Sequence, residues 1–313
     1  MSNLKLPCNA KSLVIATCTW AGCLLVGCDG LPNSSPETLI HLQVDNDPLS
    51  GPVATGAGLG ASKRLQVRWR ELDSDLMRSV AAQPELLELR ILTSTRDGTP
   101  ILREIAKLER LESLYLFEVP LADAELASLA KMKHLKYLEL CNTGITGDGL
   151  QFLDEVPLER LTIRESGLIS TGLGGIQTFA ELKSLELSIP SFHVSNIPSF
   201  AGLSNLTSVS ISGGHFSYRM HGGLNCLVGA YSIRQLALSG KNINDRTLQA
   251  VSQLRYLERL EIGNSLISED GVCSLAGLKN LQSLFLEGID HIPEPTFVGL
   301  SESTDPPVLT TPS

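Results

Sequence analysis

Residues 135–156, LKYLELCNTGITGDGLQFLDEV, combine two different apolar periods in one short stretch. Around Leu138 and Leu140, apolar residues alternate with polar or aromatic ones, which is the period of a β-strand with one buried face. Farther on, an apolar residue stands at every third position: Leu150, Leu153 and Val156. This spacing predicts a helix with one apolar face, and the glycines between the two halves supply the turn. Each element buries only one face, so the segment must pack against similar neighbours.

The same pattern recurs along most of the chain at a nearly constant interval. Aligned repeats begin at Leu86, Leu111, Leu135, Leu158, Leu182, Leu206, Ile233, Leu257 and Leu281. They are 23 to 25 residues apart, except for one interval of 27 residues after Leu206. An incomplete repeat, with Leu65 and Val67 in register, is expected to precede them. This regularity predicts stacked repeats whose strands form one parallel sheet and whose helices cover its other side.

The repeats resemble the leucine-rich-repeat family over roughly residues 62–300. The 24-residue form, as in residues 257–272, is similar to the ribonuclease-inhibitor-like or cysteine-containing class with true helices. The resemblance implies an α/β leucine-rich-repeat solenoid, with a curved parallel sheet on the concave side and helices on the convex side. At the ninth position, where the family often has Asn or a hydroxyl residue, this chain has Pro190 and Gly214 in its middle repeats. Local irregularity is therefore expected there.

The first 27 residues have the character of an export signal. Lys5 and Lys11 are their only charged residues, and the mostly apolar run of about 16 residues that follows is short for a membrane span. The run ends in Leu25-Val26-Gly27-Cys28, which resembles a bacterial lipobox. That resemblance implies cleavage before Cys28 and its lipidation. The protein would then be exported and lipid-anchored in the bacterial cell envelope.

The resemblance leaves open whether the anchor lies in the inner membrane, on its periplasmic side, or in the outer membrane. In enterobacterial lipoproteins an Asp after the lipidated Cys tends to retain the protein at the inner membrane, and Asp29 has that position here. The sorting rule does not hold across all bacteria. Two alternatives to lipidation also remain, namely an ordinary signal peptide and an uncleaved anchor with a coincidental cysteine.

Four segments follow from these patterns. Residues 1–27 are expected to be a lipoprotein signal peptide. Residues 28–61 are rich in proline and glycine, which predicts a flexible tether after the lipidated cysteine, with a short strand within residues 38–44. The solenoid of about nine to ten repeats is expected over residues 62–300, and residues 301–313 are expected to be a disordered tail.

Charge and motif content argue against several classes of function. The formal net charge is −9, and without Lys5 and Lys11 the exported part has 23 basic against 34 acidic side chains, or −11. A nucleic-acid-binding protein would need a basic face for phosphates, so no nucleic acid is predicted as a partner. The sequence has no His-Glu-x-x-His, Gly-x-Ser-x-Gly, P-loop or Cys-x-x-Cys motif, and we expect neither catalysis nor a cofactor.

Cysteine and histidine also give little sign of a metal site. Apart from Cys28, which would be lipidated, only Cys141, Cys226 and Cys273 lie in the exported part, too few and too dispersed for a disulfide framework. His215, His221 and Cys226 could ligate zinc in principle. However, Cys226 belongs to an apolar helical stripe, so no metal is predicted. The loop at 213–223, inside the 27-residue repeat, could instead be a harmless insertion or a contact for a partner.

The third, fifth and seventh residues of each repeat face away from the leucines and form the predicted concave surface. Aromatic residues and arginines concentrate there in three neighbouring repeats, and the predicted partner-binding set is Tyr115, Phe117, Tyr137, Glu139, Arg160 and Arg164. Tyrosine and arginine on a rigid surface are typical of binding hot spots. The sequence therefore predicts a monomeric, membrane-anchored lipoprotein that binds an unidentified protein. The alternatives are tyrosines that only clamp neighbouring strands, a spacer without a specific partner, and an envelope enzyme or metal protein.

Overall fold

The computed structural model describes residues 40–43, 63–69, 80–93, 101–168, 170–189, 197–213, 224–240 and 243–287. Their strands are β1 (Ile40–Gln43), β2 (Arg64–Trp69), β3 (Glu88–Thr93), β4 (Ser113–Phe117), β5 (Tyr137–Cys141), β6 (Arg160–Arg164), β7 (Ser184–Ile189), β8 (Ser208–Gly213), β9 (Gln235–Ser239), β10 (Arg259–Gly263) and β11 (Ser283–Glu287). Their α-helices are α1 (Ile101–Ile105), α2 (Asp245–Val251) and α3 (Glu269–Cys273). The chain divides after Pro190 into an N-terminal unit with β1–β7 and a C-terminal unit with β8–β11.

Within each unit, every strand pairs in parallel with the next strand along the chain. The register joins equivalent positions of successive repeats, so that Leu138 of β5 lies between Leu114 of β4 and Leu161 of β6. Short helices lie between successive strands from β3 to β7 and from β8 to β11. This arrangement confirms the predicted fold class, an α/β leucine-rich-repeat solenoid. We call the side of the sheet that carries the third, fifth and seventh residues of each repeat the outward face.

The core consists of the leucines that the two periods predicted to be buried. Leu138 and Leu140 are at most 1% exposed, and the three apolar residues of the following segment, Leu150, Leu153 and Val156, are at most 3% exposed. Burying each such side chain contributes about 1.5–3 kcal/mol relative to leaving it in water. The predicted register of the strand is therefore confirmed, with Leu138 turned into the core and Glu139 turned to the outward face.

The segments between the strands are tighter than the predicted helices. Asp123–Leu129, Asp148–Leu153 and Ser170–Thr178 are 3-10 helices, while α1–α3 have only five to seven residues. A 3-10 helix has three residues per turn, which matches the spacing of Leu150 and Leu153 in Asp148–Leu153. The predicted helix is therefore present here as a 3-10 helix, whereas the family resemblance implied a true α-helix.

β1 lies inside residues 28–61, the predicted tether. It pairs with β2, with Ile40 opposite Leu65, in the register that later strands share. The strand expected within residues 38–44 is therefore present, but it belongs to the sheet. The sheet therefore begins earlier in the chain than the predicted start of the solenoid. The physical reason is that β1 can pair its backbone N–H and C=O groups with the open edge of β2.

Hydroxyl groups join the turns that follow the strands. The backbone N–H of Thr143 donates to the Ser166 hydroxyl (3.2 Å), whose own proton reaches the carbonyl of Arg164 (3.1 Å). Thr143 and Ser166 occupy the ninth position of their repeats, which is the position where the family pattern calls for Asn or a hydroxyl residue. Pro190 and Gly214, where irregularity is expected, lie outside the described residues.

Asp123 links the helical side of one repeat to that of the next. Its carboxylate accepts hydrogen bonds from the backbone N–H and hydroxyl of Thr146 (3.1 and 2.7 Å), from Gly147 N–H (3.0 Å) and from Gly149 N–H (2.9 Å). Partial burial raises the pKa of Asp123, but these hydrogen bonds outweigh that effect and leave the pKa below its ordinary value. Asp245 repeats part of this arrangement, accepting from the backbone and hydroxyl of Ser268.

Several sequence-based expectations fall outside the described part of the chain. They concern the signal peptide, Cys28, Asp29, the tail at 301–313 and most of the loop at 213–223. Among the residues that are described, no helix has the length and apolar character needed to cross a membrane.

Candidate interaction surface

The parallel register brings all six predicted partner-binding residues together on the outward face of β4, β5 and β6. Tyr115 lies opposite Glu139, and Tyr137 lies opposite Arg160. The seventh positions of the same strands form a row of Phe117, Cys141 and Arg164. With strands about 4.8 Å apart and about 3.3 Å per residue, the group covers about 10 Å by 13 Å. This is the size of a hot-spot cluster rather than of a whole interface.

The middle row of this face is covered by its neighbours. Tyr115 and Glu139 are each only 8% exposed. Arg90 of the same row lies over the Tyr115 ring, and Arg164 of the seventh-position row lies beside Glu139. Phe117, Tyr137, Arg160 and Arg164 remain half-exposed. Both middle residues face outward as predicted, but the area that a partner could contact comes from the flanking rows.

Tyr115 belongs to a network that joins three strands. The Arg90 guanidinium carbon lies 4.5 Å from the centre of the Tyr115 ring. Glu88 accepts from Arg90 (2.7 Å) and from Arg64 of β2 (2.8 Å). Burial, and then the charge of Glu88, raise the pKa of Tyr115. This is the geometry of a clamp between strands, which was the alternative role for the tyrosines.

Tyr137 and Arg160 differ from that network because they remain accessible. The Arg160 guanidinium carbon lies 5.5 Å from the centre of the Tyr137 ring, across the gap between β5 and β6. Among the described residues, no carboxylate lies within salt-bridge distance of Arg160. The pair therefore presents an aromatic ring and an unneutralised guanidinium side by side.

Arg164 is held by carboxylates on both sides. Its guanidinium donates two hydrogen bonds of 2.8 Å to Glu186 of β7, and its Nη1 lies 3.7 Å from Glu139 Oε1. That separation is too long for a hydrogen bond, and Glu139 Oε1 is buried without a hydrogen-bond donor among the described residues. Burial raises the pKa of Glu139, and the Arg164 charge opposes this rise without cancelling it.

Leu92 and Arg90 belong to this surface but were missed as site residues. Leu92 lies opposite Phe117, which lies opposite Cys141, so these three half-exposed side chains form an apolar strip along β3–β5. The sequence signal for Leu92 was an apolar residue at the seventh position of its repeat. It was overlooked because the chain contains many leucines.

Burial, and then Glu165 and Glu139, raise the pKa of Cys141. At neutral pH the protonated thiol therefore dominates, and a thiol is a much weaker nucleophile than a thiolate.

The described residues hold no group of three or more His, Cys, Asp or Glu side chains that could bind a metal. Cys226 is 1% exposed, and burial raises the pKa of its thiol to about 12, as expected of a core residue. His215 and His221 lie outside the described residues.

The outward face of the C-terminal unit has a different composition. Small residues occupy most of its positions on β8 and β9: Ser208, Ser210, Ser212, Ala237 and Ser239. On the next two strands, Arg259 donates to Glu261 (2.7 Å) and lies over the Phe285 ring at 4.5 Å. The C-terminal unit thus combines a face of small residues on β8 and β9 with one arginine–aromatic pair on β10 and β11, whereas β3–β6 carry several aromatic residues and arginines side by side.

Known leucine-rich-repeat proteins are structural neighbours of this chain. An internalin from Listeria monocytogenes has 18% sequence identity and a TM-score of 0.51, over 76% of this chain and 72% of that one. An internalin C2 from the same species has 22% identity and a TM-score of 0.45, over 58% and 74%. TLR13, in its complex with ssRNA13, has 17% identity and a TM-score of 0.49, over 76% of this chain and 38% of that one. No protein-family model and no curated protein matches the chain. The first of these similarities supports the fold alone.

Proposed function

We propose that the protein is a membrane-anchored leucine-rich-repeat lipoprotein that binds another protein through the outward face of β3–β6. The observation that carries this proposal is the cluster of half-exposed Phe117, Tyr137 and Arg160 beside the apolar strip. Exposed aromatic rings and arginines on rigid strands are enriched among the residues that dominate binding energy. Nothing in this surface requires chemistry on a substrate.

The alternative function is a spacer without a specific partner. The outward faces of the two units give different evidence about this alternative. A spacer needs only a soluble surface, and the serine-rich face of β8 and β9 would serve that purpose. It would gain nothing from an exposed apolar strip in the N-terminal unit, since exposed apolar patches favour association. The contrast between the two faces therefore favours an interaction module.

The experiment that tests this function compares the half-exposed Phe117 with the exposed Phe152 on the other side of the same unit. Phe117→Ser removes an aromatic side chain from the outward face, while Phe152→Ser removes one from the helical side, where Phe152 is 38% exposed. Crosslinking in native membranes followed by mass spectrometry should lose partner crosslinks only with Phe117→Ser. Tyr137→Ala should weaken the same capture by about 1 kcal/mol or more without changing thermal unfolding. Equal capture by all variants would leave the spacer as the better description.

We also propose that Cys28 holds the protein in the cell envelope. The apolar run that stops at Leu25-Val26-Gly27-Cys28 supports this role, and several acyl chains, at about 0.8 kcal/mol per buried methylene, would give stable membrane attachment. Cys28→Ala should abolish metabolic labelling with a fatty acid and either release the protein or leave it unprocessed. Cys23→Ala, five residues earlier in the same signal, is the matched control and should be labelled normally. Full processing and membrane binding of Cys28→Ala would contradict the proposal.

A further inference from the structure

Basic and acidic side chains of the outward face lie at different depths. The side chains of Glu88 and Glu139 are each 10% exposed. By contrast, the side chains of Arg64, Arg90 and Arg164 are 24%, 20% and 42% exposed. Arg64 and Arg90 therefore lie farther out than Glu88, and Arg164 lies farther out than Glu139. Glu186 of β7, which also pairs with Arg164, is 35% exposed and lies at the surface beside it. A molecule approaching β2–β6 therefore meets mainly guanidinium groups, and it meets an exposed carboxylate at β7.

The count of charges points in the same direction. Among the described outward side chains of β2–β7, four arginines stand against three glutamates, a balance of +1. The whole chain, by contrast, has a net charge of −9. Arg160 accounts for the excess, because it alone of the four has no carboxylate within salt-bridge distance among the described residues. Its guanidinium is thus available to an external anion.

An apolar surface lies within reach of that free guanidinium. Leu92, Phe117 and Cys141 form their strip at the seventh positions, whereas Arg160 and Tyr137 occupy third positions. Third and seventh positions are about 13 Å apart along a strand, and β4 and β6 are about 10 Å apart across the sheet. An extended peptide covers the resulting distance of about 16 Å with roughly five residues. One peptide segment could therefore contact both places at once.

We infer that this surface takes an acidic segment of the partner protein, with a carboxylate on Arg160 and an apolar side chain on the Leu92–Phe117–Cys141 strip. The inference rests on the proposed function and specifies the chemistry of its partner. Arginine also pairs well with phosphate, so a single-stranded nucleic acid is the competing ligand. It would bring a charge with every nucleotide toward a chain of −9, and it offers no aliphatic side chain for the strip. A peptide with a few carboxylates fits both features.

Selection from a library of random linear peptides on the purified full-length protein tests this inference. We expect the enriched peptides to contain Asp or Glu about five residues from a large apolar residue. A synthetic enriched peptide should bind roughly tenfold more weakly to Arg160→Gln than to the wild type. Arg103→Gln, at an exposed arginine of α1, is the matched control and should bind normally. Replacing the carboxylates of the peptide by amides should reproduce the loss, and raising the ionic strength from about 0.01 M to about 0.15 M should weaken binding.

Three results would overturn the inference. The first is enrichment of peptides without carboxylates. The second is equal affinity of the enriched peptide for Arg160→Gln and Arg103→Gln. The third is binding of a uridine oligonucleotide that depends on Arg160 when no acidic peptide binds, which would make the face a nucleic-acid surface. If native crosslinks still depend on Phe117 while no acidic peptide binds, the proposed protein-binding function stands and only the acidic partner is rejected.

Discussion

Replacing Asp123 by Asn should show how successive repeats are joined. The Asp123 carboxylate accepts four hydrogen bonds from the turn of the next repeat, given by Thr146, Gly147 and Gly149. An amide keeps one oxygen acceptor but places an NH₂ group where the second oxygen accepted protons. Two donors of the next repeat then face another donor. The substitution therefore weakens the coupling between neighbouring repeats, on which the stability of a stacked array depends.

The expected loss is about 1.5–3 kcal/mol, the contribution of one hydrogen bond to a charged group. We take one bond rather than two because Asp123 is half-exposed and water can replace part of what is lost. The lowered pKa of Asp123 adds a dependence on pH. Its stabilisation is complete above the pKa of aspartate in the unfolded chain and is lost as the pH falls through the folded-state pKa. Asn does not titrate, so the difference between wild type and variant should shrink over that range.

The difference in the free energy of unfolding between wild type and variant is measured by denaturation with guanidinium chloride, monitored by circular dichroism, at neutral and at acidic pH. Asp154→Asn is the control, since Asp154 is exposed and lies at the end of the Asp148–Leu153 helix. It should change the free energy of unfolding by less than about 0.5 kcal/mol. If Asp123→Asn unfolds like the wild type, or if its deficit is the same at every pH, the charged link between repeats does not contribute as argued.

Two further pairs of substitutions test the packing by the same denaturation measurement. Leu138→Ala should lower the free energy of unfolding by about 2–5 kcal/mol. Glu139→Gln should be neutral or stabilising, because it removes an ionisable group whose Oε1 has no donor among the described residues. Equal losses of stability in the two variants would mean that the register is wrong. Gly172→Ala should cost about 1–3 kcal/mol, because its Cβ would lie 2.7 Å from the Thr146 carbonyl oxygen. Gly174→Ala, with nothing within 4 Å of the new Cβ, should be neutral or stabilising by up to about 1 kcal/mol.

The repeat fold was predictable because its signal is local and recurs many times. The alternation around Leu138 and Leu140 determines which face of the strand is buried. The next repeat shows the same alternation about 24 residues later. The type of helix was also present in the sequence, as the spacing of three between Leu150 and Leu153. It was not recognised because short apolar stripes with periods of 3.0 and 3.6 differ little over two turns.

The depth of each outward side chain could not be predicted in this way. Glu139 lies in an alternating strand, which indicates that it faces outward but not whether its neighbours cover it. Its surroundings come from other repeats, among them Arg164 and Tyr115. The hydrogen bonds from Thr146 to Asp123 were unpredictable for the same reason, because the hydrogen-bond donors to Asp123 lie in the next repeat, 23 to 26 residues away. Only a comparison of one repeat with the next could have revealed it, as the analogous pair of Asp245 and Ser268 shows.

The salt bridges of the outward face bear directly on how it would bind. Arg90 and Arg164 are already fixed by carboxylates of the same sheet, and a partner would have to compete with those carboxylates to use them. Arg160 has no such competitor among the described residues, and its guanidinium carbon lies 5.5 Å from the centre of the Tyr137 ring, a cation–π distance that favours this arrangement of the side chain. A contact with Arg160 therefore avoids both the loss of an existing ion pair and much of the entropy cost of ordering a long side chain. For this reason we propose Arg160 and Tyr137 as the energetic centre of the proposed interface, although Arg164 is the more firmly held arginine.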